Sequence, residues 1–176
     1  LGAAAAALPL VAGPSPAKAA AKADLTIGIA TLGFSNYTNQ QLADELAETG
    51  LMVIQLFLNQ TDSRYWKYNG RSDVSDLTAA RCSAIADAYR SKGIEIHSIG
   101  VYTNLIDPNE EERKANLAYF EAMMEIGGDM GCHTFITEAG HYHNATEPEP
   151  PVAYHFQEPV WNMMVATGKQ LAELAE

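Results

Sequence analysis

Residues 134–144 read TFITEAGHYHN and join an apolar strand to a polar loop. The apolar start, with Phe135 and Ile136 between threonines, is typical of a buried strand. Glu138 follows where the strand ends, and a glycine and two histidines, the first of them His141, come after it. A strand that leads into a glycine turn holds ionisable groups rigidly and aims them at an opening. The stretch therefore indicates acid/base or metal chemistry, or only the solvated edge of a sheet.

The same succession of strand, loop and helix occurs three times before this stretch. Apolar runs predict earlier strands at residues 25–32, 52–58 and 94–101. Thr38 and Gln41 form a capping-box pattern that opens the first helix, and Gly50 ends it. The later helices are predicted at residues 77–92 after Ser75 or Asp76, at 108–126 between Pro108 and the glycine pair 127–128, and from about Pro159 onward. The chain therefore contains four consecutive βα units.

Two folds are built from such units, an open doubly wound sheet and a (β/α)8 barrel. The first strand is not followed by the G-x-G-x-x-G pattern of a dinucleotide-binding sheet. Long polar loops follow the strands, at residues 59–75 and 141–158, whereas the turns after the helices are tight. TIM barrels carry their active sites on such loops, and a complete barrel needs about 250 residues. We therefore predict an α/β fold, a (β/α)8 TIM barrel truncated to about its first four βα units.

The N-terminal residues 1–23 are predicted to lie outside this domain, which occupies residues 24–176. An apolar run at residues 1–13 is broken by prolines and followed by Ala-Lys-Ala at 17–19, the order that a signal peptidase recognises. This pattern favours the remnant of an export signal over an alanine-rich linker, and it predicts a periplasmic or extracellular protein. The run is too short to cross a bilayer, so no stable membrane anchor is expected.

Charge and cysteine content limit the possible partners. The formal net charge is −11, which argues against a nucleic-acid partner because phosphate binding normally requires a basic surface. An acidic protein suits a neutral or weakly charged small molecule. The two cysteines, Cys82 and Cys132, are interpreted as small buried residues, and their spacing does not predict a disulfide.

Four segments together resemble the xylose isomerase-like TIM barrels, which include sugar phosphate isomerases and epimerases and have endonuclease IV as a relative. These segments are GLMVIQL at 50–56, KGIEIHS at 92–98, DPNEEER at 107–113 and GCHTFI at 131–136. The resemblance covers residues 25–176. It implies a divalent metal (Mn, Mg or Zn) at the barrel mouth, where the metal fixes sugar oxygens while carboxylates move a proton on the adjacent carbon. In the isomerase and epimerase branch of that family, strands five to eight supply the ligands, so the expected ligands lie beyond residue 176 and the fragment itself is expected to be inactive.

Glu138 and His97 are the candidate catalytic residues. If the strand alternates regularly and Ile136 points inward, the Glu138 side chain points inward as well. His97 either faces the mouth or is bonded to a loop carbonyl. The candidate substrate-binding residues are Phe34, Gln55, Trp66, Tyr102, Asn104 and His141. Their aromatic rings suit either stacking on a sugar or packing of the loops, Gln55 stands where the family often has a glutamate, and a metal pair of His141 with His143 is disfavoured because no third ligand lies near.

Three functions are compatible with these residues. The first is the N-terminal part of an exported metal-dependent sugar (phosphate) isomerase or epimerase that transfers a proton at a carbon next to a carbonyl. The second is a non-catalytic sugar-binding barrel, and the third is an endonuclease IV-like nuclease, which the acidic charge disfavours. In each of the first two the partner is a small-molecule sugar or sugar derivative. A half barrel also leaves two sheet edges open, so the isolated chain is expected to be poorly soluble or to self-associate.

Overall fold

In this computed structural model, the described residues are 25–142 and 156–176, together with Pro148 and Ala153. The predicted export-signal remnant at residues 1–23 and the loop histidine His143 lie outside the described residues. The described part of the chain is an α/β fold with four parallel strands and four α-helices, which correspond to the first units of a TIM barrel. The predicted fold class is confirmed.

The strands pair in chain order, so each helix crosses from one strand to its neighbour. The strands are β1 (Ile29–Ala30), β2 (Val53–Leu56), β3 (Glu95–Gly100) and β4 (Phe135–Ile136). The helices are α1 (Asn39–Thr49), α2 (Ala79–Arg90), α3 (Glu110–Asp129) and α4 (Glu158–Leu174). All neighbouring strands are parallel, and the order β1-β2-β3-β4 leaves β1 and β4 at the two edges.

The capping box that opens α1 is confirmed. The Thr38 hydroxyl accepts a hydrogen bond from the backbone N–H of Gln41 at 3.1 Å, and the Gln41 side chain accepts one from the backbone N–H of Thr38 at 2.9 Å. Gly50 ends the helix with φ 76°, a left-handed conformation that glycine adopts without steric cost. Because both ends of α1 are set by local contacts, the sequence locates this helix to within a residue.

Two other helix boundaries differ from the prediction. The N-cap of α2 is Thr78, whose hydroxyl accepts a hydrogen bond from the backbone N–H of Arg81. The prediction that the helix begins directly after Ser75 or Asp76 was therefore wrong. Helix α3 continues through the glycine pair to Asp129. Its Gly127 packs against β4, where a Cβ would overlap the Phe135 ring. This glycine is present because of close packing, and it does not end the helix.

The strands are shorter than their apolar runs. The run at residues 25–32 forms only two ladder residues, because Ile29 lies opposite Ile54 and β2 begins at Val53. The preceding residues extend past the foot of the sheet, and Leu25 and Ile27 are 83% and 73% exposed. The chain then turns through a short 3-10 helix, Thr31–Gly33. Strand length therefore depends on where the neighbouring strand starts.

The two faces of the sheet differ in how they are covered. Under the helices, residues such as Ile54, Leu56 and Ile99 are fully buried. The opposite, inner face is an open groove of about 420 Å³ whose lining includes Gln55, His97 and Ile136. The inner face is therefore exposed in the part of the chain that the structure describes.

A β-bulge interrupts the pairing of the two central strands. Ile54 lies opposite Ile96, but the next residue, Gln55, lies opposite Ser98. His97 is therefore an extra residue in β3, and the side-chain alternation of this strand shifts by one after it. Beyond the bulge, Ile99 packs under the helices and Gly100 faces inward against the Phe57 ring.

Helix α4 is less buried than its sequence predicts. Val160 and Thr167 are buried, but Trp161 is 59% exposed and Leu174 is 39% exposed, although their apolar side chains are typical of a core. The helix packs on α3, and no further strand lies beneath it among the described residues.

None of the helices in the described ranges is long and apolar enough to span a membrane. Cys82 and Cys132 are buried free thiols.

Candidate functional site

An aromatic cluster stands at the C-terminal ends of β2 and β3. Phe57 and Tyr102 are stacked, with ring centroids 5.4 Å apart and an interplanar angle of 21°. Trp66 meets both rings edge-on, at 5.5 Å from Phe57 and 6.3 Å from Tyr102. Gly100 makes room for this arrangement, because a Cβ there would lie 2.8 Å from the Phe57 ring. We call Phe57, Trp66 and Tyr102 the aromatic cluster.

Gln55 connects the inner face of the sheet to this cluster. Its side-chain amide donates a hydrogen bond to the Tyr102 hydroxyl at 3.3 Å. Gln55 is half-buried and lies two residues before Phe57, which directly follows β2. Because side chains alternate along a strand, both point to the inner face of the sheet. The arrangement places an amide and a phenol next to the aromatic rings, where they can bind hydroxyl groups.

Glu138 lies beside the cluster on the loop that follows β4. Its carboxylate lies next to the hydroxyl of Tyr68, whose ring centroid is 6.4 Å from that of Trp66. Hydrogen bonding towards this carboxylate and its negative charge raise the pKa of the Tyr68 phenol above its ordinary value. Glu138 is exposed, so its carboxylate is accessible from the mouth.

Asn104 braces the β4 loop from beneath. Its side-chain amide donates to the carbonyl of His141 at 2.9 Å, and its side-chain oxygen accepts from the N–H of His141 at 2.9 Å. Asn104 is 3% exposed. Gly140, with φ 92°, approaches Asn104 too closely for any Cβ. The structure thus shows a buried asparagine that positions His141 through its backbone.

The β2 and β4 loops touch above the sheet. The Asn69 side-chain nitrogen lies 3.4 Å from the Nδ1 atom of the His141 ring. Together with the approach of the Tyr68 hydroxyl to Glu138, this contact joins the long loop after β2 to the loop after β4. The described mouth is therefore one connected surface made by residues from three strand ends.

The structure does not bring all the predicted residues together. Gln55, Trp66, Tyr102, Glu138 and His141 lie at this mouth, with Asn104 beneath them. His97 is exposed on the inner face, three residues before the end of β3 and in a different groove from Glu138. Phe34 is half-buried on the loop after β1 and meets Tyr37 edge-on at 6.1 Å.

Sequence reasoning missed Phe57, Tyr68 and Asn69. Phe57 was assigned to a buried strand, yet its spacing of two from Gln55 indicates the same face. Tyr68 and Asn69 lie in the same loop as Trp66 and gave no separate signal, because their partners Glu138 and His141 are about seventy residues away in the chain. Only the fold brings these side chains into contact.

The described residues do not fit the expected metal. Within residues 25–142 and 156–176, no three His, Cys, Asp or Glu side chains come close enough together to hold an ion. Glu138 and His141 therefore belong to no such group within these residues. The chemistry that these residues support directly is the binding of hydroxyl groups against aromatic faces.

Comparison with known proteins agrees with this geometry. Residues 43–176 match the family model described as the xylose isomerase-like TIM barrel. The chain belongs to this family. The match confirms the resemblance inferred from the sequence, whereas a search of curated proteins finds no match.

Solved structures of family-like proteins superpose on the chain. A putative xylose isomerase from Rhodospirillum rubrum is 18% identical, with a TM-score of 0.62 over 86% of this chain and 50% of that protein. D-psicose 3-epimerase from Clostridium cellulolyticum, solved with D-tagatose, is 12% identical, with a TM-score of 0.56 over 84% of this chain and 47% of that protein. A structure of D-psicose 3-epimerase in the presence of D-fructose is 14% identical, with a TM-score of 0.58 over 84% of this chain and 47% of that protein. The chain spans about half the length of these proteins.

Proposed function

We propose that this chain forms one half of the substrate mouth of a sugar isomerase or epimerase. The observation that carries the proposal is the aromatic cluster, with Gln55 and Glu138 beside it, at the C-terminal ends of the strands. TIM-barrel enzymes bind substrates at this end. Aromatic faces pack against the C–H surface of a sugar ring, while an amide and a carboxylate bind its hydroxyl groups.

The family adds support for a sugar substrate. Two of the similar structures are sugar epimerases determined with D-tagatose or D-fructose. Both ligands are ketoses, which carry an acidic C–H next to a carbonyl. Isomerisation and epimerisation proceed by proton transfer at that carbon. We therefore take ketoses as the substrate class to test first.

Glu138 is the better candidate of the two predicted catalytic residues. Its carboxylate is exposed at the mouth and lies next to the Tyr68 hydroxyl, so it stands where it can accept a hydrogen bond from a sugar hydroxyl. His97 lies lower, on the inner face of the sheet. We propose that Glu138 binds a substrate hydroxyl or accepts the proton, and that the aromatic cluster sets the plane of the sugar. The divalent metal expected for the whole barrel is assigned to no described residue.

Deuterium uptake from D2O tests the proposal. D-fructose and D-tagatose are incubated with the full-length protein, with and without Mn²⁺ or Mg²⁺, and proton loss at the carbon next to the carbonyl is followed by NMR. We expect uptake that falls at least about tenfold in Glu138→Gln, because the base is lost. Glu48→Gln, an exposed change on α1, is the matched control.

The same experiment separates the alternatives. Ligand-observed NMR that shows sugar binding without deuterium uptake favours the non-catalytic sugar-binding module. Neither binding nor uptake on a broad panel of sugars contradicts the proposal. Binding that is unchanged in Tyr102→Ala also contradicts it, because that change removes one stacked ring of the aromatic cluster.

Export is a separate proposal that depends on residues 1–23 alone. Their apolar run, proline break and Ala-Lys-Ala pattern are the supporting observations. In the test fusion, an added methionine and basic residues precede residues 1–23, and a reporter follows them. The reporter is expected to reach the periplasm of a bacterial host. Retention of the fused reporter in the cytoplasm contradicts export.

A further inference from the structure

The long loop after β2 contains an Asn-Gly dipeptide, Asn69-Gly70. In such a dipeptide the backbone nitrogen of the glycine can attack the asparagine side chain, because glycine has no Cβ to obstruct the approach or to restrict the backbone. Every other asparagine of the sequence is followed by a residue that carries a side chain. Asn69 is therefore the asparagine whose amide is most open to attack by its own chain.

The backbone of this dipeptide belongs to no helix and no strand. Asn69 has φ 45°, a left-handed conformation that residues with a side chain rarely adopt. In the part of the chain that the structure describes, neither Asn69 nor Gly70 makes a backbone hydrogen bond. The Gly70 nitrogen is therefore available as a nucleophile, and rotation of the Asn69 backbone breaks no hydrogen-bonded ladder.

The side chain of Asn69 lies next to a group that can transfer a proton. Its amide nitrogen, Nδ2, is 3.4 Å from the Nδ1 atom of the His141 ring. Two hydrogen bonds from Asn104 hold the backbone of His141 in place. Imidazole is the side chain that most often gives and takes protons near neutral pH. The nitrogen that faces His141 is also the one that must leave when the side-chain amide is attacked.

We propose that Asn69 is a site of spontaneous deamidation, which converts a neutral amide at the mouth into a carboxylate. The Gly70 nitrogen attacks the side-chain carbonyl carbon of Asn69 and loses its proton to solvent. The bond from that carbon to Nδ2 then breaks, and His141 gives a proton to the leaving nitrogen, so ammonia departs and a cyclic imide remains. Water opens the imide at either carbonyl and leaves aspartate or isoaspartate. The reaction consumes water, releases ammonia and needs no oxidant or reductant.

The new carboxylate changes the charge of the mouth. The side chains of Asn69 and Glu138 both lie next to the Tyr68 hydroxyl. Deamidation therefore places a second negative charge beside this phenol. Isoaspartate also adds a methylene group to the backbone, which alters the contact with His141 that joins the β2 and β4 loops. A newly made chain and an aged one thus present different mouths, and this difference does not depend on the proposed function.

Peptide mapping after incubation of the folded, full-length protein at neutral pH measures the conversion. Cleavage after lysine gives the peptide 68–92, in which Asn69 is the only asparagine and glutamine is absent. We expect this peptide to gain the mass of an NH-to-O exchange and to separate into aspartate and isoaspartate forms. The peptide 93–114, which contains Asn104 and Asn109, is the internal control and should stay unmodified over the same period. Equal conversion of both peptides, or no conversion of 68–92, overturns the proposal.

Two variants test the nucleophile and the proton donor separately. Gly70→Ala should slow the conversion at least about tenfold, because a Cβ obstructs the attack and restricts the backbone. The fold has room for this change, since the nearest atom to an added Cβ lies 3.4 Å away on Lys67, and an unchanged far-UV circular dichroism spectrum checks it. An unchanged rate in Gly70→Ala overturns the proposal.

His141→Gln keeps a polar side chain beside the amide but cannot give a proton to the leaving nitrogen. It should slow the conversion several-fold, because general acid assistance is lost. An unchanged rate in this variant overturns the role of the histidine.

Asn69→Asp carries the product from the start and tests whether the change reaches the mouth. The added carboxylate should raise the pKa of Tyr68 above its value in the unmodified protein, because a second negative charge disfavours the phenolate. Asn109→Asp is the matched control: it adds the same charge at the N-cap of α3, where aspartate caps as well as asparagine, and should leave the pKa of Tyr68 unchanged. NMR titration of the tyrosine rings measures both. An unchanged pKa of Tyr68 in Asn69→Asp overturns the inference that deamidation alters the mouth.

Discussion

The centre of the sheet and its β4 edge consist of the same βα unit, yet they differ in how fully it is covered. In the centre, Ile54 and Leu56 of β2 are fully buried, in a core cluster to which α1 and α2 contribute. At the edge, Ile136 is 38% exposed and Trp161 of α4 is 59% exposed. A βα unit therefore buries its apolar surface only when units flank it on both sides. Sequence pattern alone does not show whether those neighbours are present.

Truncation of a side chain in the central core is expected to lower the free energy of unfolding more than any other change considered for the two regions. Ile54→Ala should lower the free energy of unfolding by about 2–5 kcal/mol, because it leaves a cavity in a fully packed site. Trp161→Ala should change it by no more than about 0.5 kcal/mol, because a largely exposed ring loses little burial. Urea unfolding measures both free energies. Equal losses at the two sites would show that α4 is as well packed as the centre.

The brace beneath the mouth should have an intermediate effect. Asn104→Ala removes both hydrogen bonds to the backbone of His141 and leaves those groups without a partner, which should cost about 1–3 kcal/mol. Hydrogen exchange should show lost protection of the His141 amide. Asn59→Ala, which removes a more exposed bond to the Leu32 carbonyl, is the control and should cost about 0.5–1.5 kcal/mol. Unchanged protection of His141 would contradict the role of Asn104 as a brace.

The Tyr68–Glu138 contact should have the smallest effect, seen as a pH dependence. The pKa of Tyr68 is raised above the ordinary value of 10.0, so the contact stabilises the fold fully below that pH. Its contribution is lost as the pH rises through the folded-state pKa, where the phenol ionises beside the carboxylate. Glu138→Gln should lower the pKa of Tyr68 towards 10.0 in an NMR titration of the tyrosine ring. No change in that titration would mean that the two side chains are not paired in solution.

The features predicted from the sequence are those set by neighbouring residues. The capping box at Thr38 and the left-handed Gly50 are local, and α1 was located accurately. The alternation of strands and helices also sufficed to predict a half barrel, and Trp66 and Tyr102 were predicted to lie near its mouth. These signals need only a few adjacent residues.

Features set by contacts between distant residues were predicted poorly. The length of β1 depends on where β2 begins, and the presence of a glycine at position 127 inside α3 depends on Phe135, which packs against it. The roles of Phe57 and Asn104 likewise depend on residues in other βα units. Residue type is visible in the sequence, but the partner of a side chain is decided by the register of the sheet.

The bulge at His97 reverses which side chains of β3 face inward beyond it. With regular alternation, the phase of Glu95 and His97 would continue to Ile99 and Val101, and these would face the mouth. The extra residue gives the inner phase to Gly100 and Tyr102 instead. A β3 of the same sequence without the bulge would therefore present aliphatic side chains at the mouth in place of the phenol, whereas deleting His97 would keep Gly100 and Tyr102 inward. Chain length between two fixed ends, as much as residue identity, determines what this mouth presents to a ligand.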